Sequence, residues 1–487
     1  MASRGGRAVR DAGWRHRAAA LVLCAALLAS CAVNPVTGKK ELSLISEQGE
    51  VELGKQTDAE ITALYGVYDP RGVGAYVAAL GKRLTPFSHR PNLAYSFQVL
   101  DTPVVNAFAA PGGFIYVTRG ALALINSESE LAVVLGHELG HVAAKHTVRR
   151  MSEMMVIQVG LVVGSVLSET FAEIAGVAGV GIQLLYLKFS RDDERQADAL
   201  GVEYARRAGF NPARMANFFA TLQRLGDMSG GSYLPGFLST HPLNSDRIKN
   251  VSAMLTEADK SLAVRREPYI QTIDNIVYGD DPRQGYVEAN VFYQPELRFA
   301  LTYPQGWKIQ NTPSQVTLAS ADGQAAFVLE AEKTGEGLET YAERKSAEIK
   351  ERELLGDSSL TVNGLRGYER LYKIPRPDKD PLRVRLSFIR KGDHVYTLGA
   401  LSAAGSFDGY DGSFRGIVRS FRDVRDAAHL NRSPRRLKML RAPGGRSLQA
   451  LFEEAGMAKD AWPKAALMNE MQVTDKPSAG QWIKIIR

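Results

Sequence analysis

The stretch His137-Glu138-Leu139-Gly140-His141 is an H-E-x-x-H motif. Residues four apart on an α-helix stand on one face, so His137 and His141 can each offer an imidazole nitrogen to one Zn²⁺ ion. Glu138 then lies beside the metal, where it can accept a proton from a zinc-bound water. The motif therefore predicts a zinc-dependent hydrolase with a single Zn²⁺ in each chain.

The residues around the motif predict the helix that it needs. Ser127 and Glu130 have the spacing of a capping box. No Gly or Pro interrupts the stretch from Val142 to Arg150, so the helix is expected to continue through it. Two His on the surface of an ordinary helix are the alternative, which the dense apolar residues nearby disfavour. The apolar positions at helical spacing are Leu131, Val134, Leu135 and Leu139.

A catalytic zinc needs a third protein ligand. The metzincin class would place Gly at 144 and His at 147, and the residues here are Ala144 and Thr147. His146 is not expected to take part, because it lies about 140° around the predicted helix from His141. The third ligand must therefore come from another element.

Glu194 is the candidate for the third ligand. It lies on a second predicted helix that continues through Ala205 and stops near Gly209. Asp198 follows four residues later on the same face, where it can accept the other N–H of a ligand His and fix its tautomer. A solvated charged face is the alternative for this acidic stretch.

Four segments carry a wider pattern: Asn106–Gly113, His137–His141, Ser190–Asp198, and His241-Pro242 with Asp246-Arg247. Together they resemble the M48 family of zinc metallopeptidases. The resemblance implies the gluzincin arrangement, in which two His and one Glu hold the zinc. It also implies similarity to lipid-anchored periplasmic enzymes that degrade misfolded outer-membrane proteins.

The first of these segments predicts a hairpin. Asn106 to Gly113 and the following apolar residues have the pattern of a strand, a Pro-Gly-Gly turn and a second strand. An edge strand beside a metal can pair with an extended substrate backbone, so Asn106, Ala107 and Phe108 are candidate substrate-binding residues. A purely structural hairpin is the alternative.

His241 precedes Pro242, so it is expected in an extended loop. Three roles stay open for it. It can donate to the oxyanion of the tetrahedral intermediate, it can cap the empty zinc position and hold the enzyme latent, or it can be a plain surface His. Arg247 is a further candidate that would add positive charge to the site.

The N-terminus has the pattern of a secretory signal. An Arg-rich stretch is followed by an apolar run from Ala18 to Ala29 that is too short to span a bilayer. The sequence Leu28-Ala29-Ser30-Cys31 resembles a bacterial lipobox, which implies lipidation of Cys31, and Ala32 after it implies sorting to the outer membrane. An ordinary signal peptide with an incidental Cys is the alternative.

The composition indicates a globular protein of several domains. The chain has 487 residues, of which 45% are hydrophobic and 23% are charged. Its net charge of +7 owes much to the N-terminal Arg residues. No basic patch with interleaved aromatic residues occurs, so a nucleic-acid partner is not expected.

The predicted fold class is α+β. Met154 to Phe189 is expected to form a buried or lid-like helical hairpin over the site, with a membrane span as the alternative. The last segment resembles a degenerate LysM module, with Gly445-Arg446-Ser447 in place of Gly-Asp-Thr, so glycan binding and a packing role both stay open. The predicted divisions are a signal peptide at 1–30, a tether at 31–46, a mainly helical gluzincin-type peptidase domain with a small sheet at 47–265, an α+β accessory domain at 285–425, and a βααβ LysM-like module at 434–487.

These features lead to a functional hypothesis. The protein is expected to be a zinc endopeptidase, lipid-anchored on the periplasmic face of the outer membrane, that cleaves unfolded or misassembled envelope proteins. A chaperone-like factor for outer-membrane protein assembly, with a largely latent zinc site, is one alternative. A peptidoglycan-binding tether is the other. The outer-membrane assembly machinery and peptidoglycan are further expected partners.

Overall fold

The structure is a computed structural model that describes residues 31–162, 188–228, 236–242, 245–376 and 379–487. The described residues form two compact units. The first holds those up to Tyr278, apart from Ala63–Tyr65, together with Arg436–Arg487, and the second holds Gly279–Arg435 with Ala63–Tyr65. The predicted signal peptide at 1–30 and most of the predicted cover, at 163–187, lie outside the described residues.

The first unit is mainly helical. Its helices are α1 Glu47–Tyr65, α2 Val73–Leu84, α3 Arg119–Leu124, α4 Glu128–Ala143, α5 His146–Val162, α6 Arg191–Arg207, α7 Arg214–Met228, α8 Gly236–Thr240, α9 Ser245–Ala253, α10 Arg266–Thr272, α14 Leu448–Glu454 and α15 Trp462–Met468. Its strands are β1 Cys31–Val33, β2 Lys40–Leu42, β3 Ser96–Leu100, β4 Ala107–Ala110, β5 Phe114–Thr118, β17 Leu437–Arg441 and β18 Trp482–Ile486. Among the helices that the structure describes, none is long and apolar enough for a membrane span.

Helix α4, which carries the H-E-x-x-H motif, is the central element of this unit. The Ser127 hydroxyl accepts from Glu130 N at 3.1 Å, and Glu130 Oε2 accepts from Asn126 N at 2.7 Å, so the predicted capping residues do begin the helix. All sixteen residues of α4 are buried, because other elements cover it on every side. Beyond its first turn the helix is accordingly apolar on every side except at His137, Glu138 and His141.

The expected continuation of this helix to Arg150 is wrong. Helix α4 ends at Ala143, and α5 begins at His146 after Lys145 takes a left-handed φ of 56°. Asn34 holds the turn, because its buried Nδ2 donates to Ala144 O at 3.0 Å. A carbonyl freed by the helix end thereby finds a partner, and no Gly or Pro is needed to break the helix.

Helix α6 packs directly against α4. Its N-terminus has a complete capping box, in which the Ser190 hydroxyl accepts from Asp193 N and the Asp193 carboxylate accepts from Ser190 N. The contact is close because glycines meet there: a Cβ added at Gly136 would lie 3.1 Å from Gly201 O, and one added at Gly140 would lie 3.2 Å from Ala197 Cα. The small residues bring the two helices together at the motif.

A three-stranded sheet lies beside α4. Its order is β3-β5-β4, with β3 and β5 parallel and β5 and β4 antiparallel, so β4 is an edge strand. The turn from β4 to β5 is Pro111-Gly112-Gly113, where Gly112 has φ 74° and Gly113 has φ 93°. Positive φ angles favour Gly, as the Pro-Gly-Gly sequence predicts. Strand β4 packs against α4.

The residues of the predicted tether, 31–46, make defined contacts. Strands β1 and β2 pair as an antiparallel hairpin between Cys31 and Leu42. The amide of Leu44 donates to the Ser152 hydroxyl of α5 at 3.0 Å. The stretch at 31–46 therefore packs on the first unit through its hairpin and through Asn34.

The second unit is rich in sheet, and α11 and α12 pack against it. Its strands form a seven-stranded sheet of order β12-β13-β14-β15-β11-β10-β9 and a four-stranded sheet of order β16-β8-β7-β6. The elements are β6 Tyr286–Glu288, β7 Val291–Gln294, β8 Phe299–Thr302, β9 Lys308–Asn311, β10 Gln315–Ala319, β11 Ala325–Lys333, α11 Leu338–Ala347, β12 Glu353–Val362, β13 Leu365–Arg376, β14 Lys379–Lys391, β15 His394–Ala403, α12 Ala404–Ser420, β16 Arg422–Asp423 and α13 Ala427–Leu430. A mainly helical peptidase region followed by a sheet-rich region agrees with the predicted α+β class.

The C-terminal segment has the predicted order of strand, two helices and strand, with β17 and β18 paired antiparallel. Its buried apolar residues belong to the same core as those of α4 and α6. Lys484 on β18 is fully buried and donates to the carbonyl oxygens of Ala123, Leu124 and Ile125 at 2.9, 3.3 and 2.6 Å. The segment is thus joined to the chain just before the N-terminus of α4. Its likeness to LysM, and any glycan binding, stay predictions.

We expect Lys484→Met to destabilise the protein by about 1–3 kcal/mol, because the change leaves the buried carbonyl oxygens of Ala123, Leu124 and Ile125 without their donor. Urea unfolding of the full chain measures the free energy of unfolding. The control is Lys464→Met, which changes an exposed Lys on α15 of the same segment. Equal stability of the two variants would contradict a role for Lys484 in holding the segment.

Candidate metal centre

Four side chains from three places in the chain meet in the interior. His137 and His141 come from α4, Glu194 from α6 and His241 from the residue after α8. The two Nε2 atoms of His137 and His141 are 3.1 Å apart, and each lies 3.5–3.6 Å from a Glu194 oxygen. His241 Nδ1 lies 2.8 Å from Glu194 Oε1 and 3.3 Å from His137 Nε2. All four residues are buried and offer donor atoms within 4.8 Å of one another.

This donor set fits a zinc ion. Donor atoms around a tetrahedral zinc stand about 3.3 Å apart, because the bonds are about 2.0–2.1 Å long, and the distances above scatter around that value. His137 Nδ1 lies 2.9 Å from Asp198 Oδ1, which can only accept when ionised. The proton of His137 is therefore on Nδ1, and a bare Nε2 lone pair faces the cluster. Three imidazole nitrogens and one carboxylate are ligands that zinc prefers.

Burial and neighbouring charge set the protonation of the ligands. Burial holds the pKa of His141 well below its usual value, so the ring is neutral and able to ligate. Burial also raises the pKa of Glu194, but the charges and hydrogen bonds of His241 and His141 outweigh it and hold that pKa well below normal. Glu194 is consequently an anion in the site.

Glu138 lies next to the ligands on α4 and is fully buried. Neither of its carboxylate oxygens has a hydrogen-bond partner within the described part of the chain, and the nearest ring nitrogen, His241 Nε2, lies 3.7 Å away. Burial raises the pKa of Glu138 above its usual value. A buried carboxylate with unused lone pairs and a raised pKa can accept a proton and hold it.

Asp198 and Arg247 contact the ligands His137 and Glu194 on the side away from the cluster's centre. Arg247 Nε and Nη2 donate to the two oxygens of Asp198 at 2.8 and 2.6 Å, and Nη1 lies 2.8 Å from Glu194 Oε2. The guanidinium also lies over the Phe219 ring, with its Cζ 4.4 Å from the ring centroid. Burial raises the pKa of Asp198, but hydrogen bonds from His137 and Arg247 outweigh burial and hold that pKa below normal. Arg247 thus contacts one ligand and the partner of another.

The candidate substrate-binding residues lie at the edge of the sheet. Ala107 and Phe108 begin β4, and Asn106 precedes it. Phe237 N, in α8, donates to Val105 O at 2.9 Å, which ties the segment before His241 to the segment before β4. The edge strand and the His241 loop are therefore linked through the backbone.

The sequence analysis missed several residues of the centre. His146 Nδ1 lies 2.9 Å from His141 Nδ1, which the break between α4 and α5 makes possible. Phe189 and Phe237 both stack on His241: their ring centroids lie 5.5 and 4.7 Å from that of His241, with interplanar angles of 27° and 28°. The helix break had no local signal in the sequence, and an isolated Phe carries none either.

Comparison with known proteins identifies the region. Residues 73–255 match the model of "Peptidase family M48". The matched segment holds the two motif His, Glu194 and His241. These residues form an M48 metallopeptidase domain. The predictions of a zinc metallopeptidase and of a zinc cofactor are confirmed, and the M48 zinc site consists of His137, His141, Glu194 and His241.

Curated relatives of the M48 domain include proteases of bacteria and mitochondria. "Beta-barrel assembly-enhancing protease" of Yersinia pestis is 34% identical over 194 residues, which are 38% of this chain and 39% of the relative. The protein of the same name from Escherichia coli (strain K12) is 27% identical over 44% of this chain and 45% of the relative. "Mitochondrial metalloendopeptidase OMA1" of Schizosaccharomyces pombe is 26% identical over 48% of this chain and 68% of the relative. The chain thus spans less than half the length of the two assembly-enhancing proteases.

We expect the full-length protein to contain about one zinc ion per chain, and His137→Ala and Glu194→Ala to lose most of it, because each removes a ligand. Elemental analysis after dialysis measures the ratio of zinc to protein. His89→Ala is the control, because His89 is exposed and bonds to Tyr204 instead of to the cluster. Full zinc content in Glu194→Ala would show that another group completes the site.

Proposed function

We propose that this protein is a zinc endopeptidase of the bacterial envelope that hydrolyses misfolded or unassembled envelope proteins. The observation that carries the proposal is the position of Glu138 beside a four-residue zinc site, where neither oxygen of its buried carboxylate has a hydrogen-bond partner among the described residues. A buried carboxylate without partners is costly to keep, so it is expected to serve the reaction.

Zinc, when bound, supplies a Lewis acid that lowers the pKa of water toward about 7 and polarises a peptide carbonyl. Glu138 takes the proton released as the nucleophile forms and passes it to the leaving amine nitrogen. The raised pKa of Glu138 suits both proton uptake and proton donation, because the carboxyl can keep the proton until the amine leaves. Asp198 holds the proton of His137 on Nδ1, and Arg247 fixes the carboxylates of Asp198 and Glu194.

His241 is proposed to cap the site in a latent form. Its Nδ1 lies at the fourth corner of the cluster, where a catalytic site keeps an open position. The ring is fully buried between Phe189 and Phe237, which favours this position. Activation then requires His241 to withdraw, and Arg247 acts by positioning the ligands.

The substrate is proposed to bind as an added strand on β4 through Asn106, Ala107 and Phe108. An edge strand offers backbone donors and acceptors to any extended chain, so recognition needs little sequence specificity. The name of the bacterial relatives, beta-barrel assembly-enhancing protease, supports clients among β-barrel proteins. A periplasmic location is proposed from the signal-like pattern of the N-terminus. We further propose lipid anchoring at Cys31, on the sequence pattern alone.

A chaperone-like role is the second candidate, and the same His241 contact favours it. A site whose fourth corner is filled is latent until something opens it, and an edge strand can hold an unassembled chain without cutting it. Restoration of envelope-protein assembly in cells by a proteolytically inactive Glu138→Gln variant would favour this role. Failure of that variant would leave proteolysis as the main activity.

We expect Glu138→Gln to retain zinc and to lower kcat for an unfolded reporter protein by about 10²–10⁴-fold, because the change removes the proton acceptor and leaves the ligands intact. Zinc content and the rate of fluorescent-casein cleavage are measured together. Glu203→Gln is the control, because Glu203 is a half-exposed residue of α6 that pairs with Arg207. Turnover at the wild-type rate in Glu138→Gln would remove the mechanism.

We expect His241→Ala to raise the rate of reporter cleavage by about tenfold, because a capped site leaves only a small fraction of molecules competent. The same assay on zinc-loaded protein measures the change. A loss of about 10²–10³-fold in kcat would contradict the cap and would instead indicate that His241 stabilises the oxyanion.

A further inference from the structure

His141 is the one motif His whose outer nitrogen meets no carboxylate in the described residues. Its Nε2 faces the zinc cluster, and its Nδ1 lies 2.9 Å from His146 Nδ1. The other nitrogen of His146, Nε2, lies 2.8 Å from Gln196 Oε1. His146 is fully buried, and Gln196 is a half-buried residue of α6 between Glu194 and Asp198.

The tautomers along this chain of bonds follow from one requirement. A neutral imidazole that ligates through Nε2 carries its proton on Nδ1. The His141 Nδ1–H therefore donates to His146 Nδ1, which must accept. The proton of His146 is then on Nε2, where it donates to the Gln196 carbonyl oxygen. Each of the three groups is satisfied in one arrangement only.

The competing partner of His146 is too distant to change this arrangement. Asp193 Oδ1 lies 3.6 Å from His146 Nε2, beyond hydrogen-bond distance. The Asp193 carboxylate is already bound by Arg149 and by Ser190 N. Gln196 is therefore the acceptor for the outer nitrogen of His146.

We propose that His146 and Gln196 are positioning residues of the zinc site, which fix the tautomer and the ring orientation of His141. They do for His141 what Asp198 does for His137. Helix α6 then carries three functions within five residues: Glu194 ligates, Asp198 orients one His, and Gln196 orients the other through His146. The inference concerns the zinc site itself and does not depend on the substrate.

The uncharged pair His146 and Gln196 suits the position next to His141 for an electrostatic reason. Glu138, Glu194 and Asp198 are already buried around the site, and Arg247 is the cation in contact with two of them. A further buried carboxylate behind His141 would need another cation, because unpaired buried charge is costly. An imidazole with an amide behind it orients His141 without adding charge.

The test compares His146→Phe, which removes the acceptor and keeps a ring, with His146→Asn, whose Oδ1 can stand near the place of Nδ1 and accept. We expect His146→Phe to weaken zinc binding by about 10–100-fold, as loss of a ligand's hydrogen-bond partner does, and His146→Asn to restore most of it. Zinc affinity is measured on the full chain by competition with a chelator. The absorption spectrum of the Co²⁺-loaded protein reports the ligand geometry directly.

Gln196→Leu gives an independent measurement, because it leaves His146 in place and removes its acceptor. We expect weaker zinc binding and an altered cobalt spectrum, while the melting temperature of the metal-free protein stays close to that of the wild type. His89→Phe is the matched control: it removes an imidazole that bonds to Tyr204 outside the site. The control should leave both zinc affinity and the cobalt spectrum unchanged.

Wild-type affinity and an unchanged cobalt spectrum in His146→Phe and Gln196→Leu would overturn the proposal. Equal weakening by His146→Phe and His146→Asn would also overturn it, because only a packing role treats the two alike. If His146→Phe does not fold, Gln196→Leu decides, and wild-type affinity in that variant refutes the proposal.

Discussion

The close approach of α4 and α6 is the constraint on which the zinc site depends. The two His stand on α4 and the carboxylate on α6, so the distance between the helix axes decides whether the three can share an ion. At Gly201 a Cβ would lie 2.9 Å from His137 N, and at Gly140 it would lie 3.1 Å from Leu200 Cβ. Side chains at these positions would push α6 away and carry Glu194 out of reach.

The close packing of α4 and α6 buries charged side chains, and neighbouring side chains compensate for the cost of that burial. Glu138 and Glu194 are both deeply buried within the same cluster, yet their pKa values are displaced in opposite directions. Burial dominates at Glu138, which lacks hydrogen bonds in the described chain, whereas the His side chains and their hydrogen bonds dominate at Glu194. Environments that separate two carboxylates in this way support the proposed division of roles, with Glu138 as proton acceptor and Glu194 as ligand.

Sequence reasoning succeeded where a local pattern determines the structure. The spacing of His137 and His141, the capping residues of α4 and the Pro-Gly-Gly turn after β4 each depend on residues a few positions apart. The end of α4 does not depend on residues close in the sequence. Lys145 adopts a left-handed conformation although it is not Gly, and the carbonyl before it is held by Asn34, which is 110 residues away. A turn that is stabilised by tertiary contact has no local signal, so the position of His146 could not be foreseen.

Local sequence patterns also predicted the second unit and the C-terminal segment incompletely. The α+β accessory domain was expected at 285–425, but its strand β12 gives little sequence signal, because most of its residues are exposed and show no alternation of buried and exposed positions. The likeness to LysM also made the last segment look like a separate module.

A buried lysine joins the C-terminal segment to the residues before α4. Lys484 interrupts an apolar strand, a position where an isolated module would expose it, and here it donates to carbonyl oxygens that lie three to five residues before Glu128, the first residue of α4. Glu130 in the first turn of α4 is close enough to interact with Lys484 and Glu470, and its pKa is raised to about 8, mainly by burial. A lysine side chain can be buried only where its amine has hydrogen-bond acceptors. We therefore expect β18 and the residues just before the zinc helix to form together.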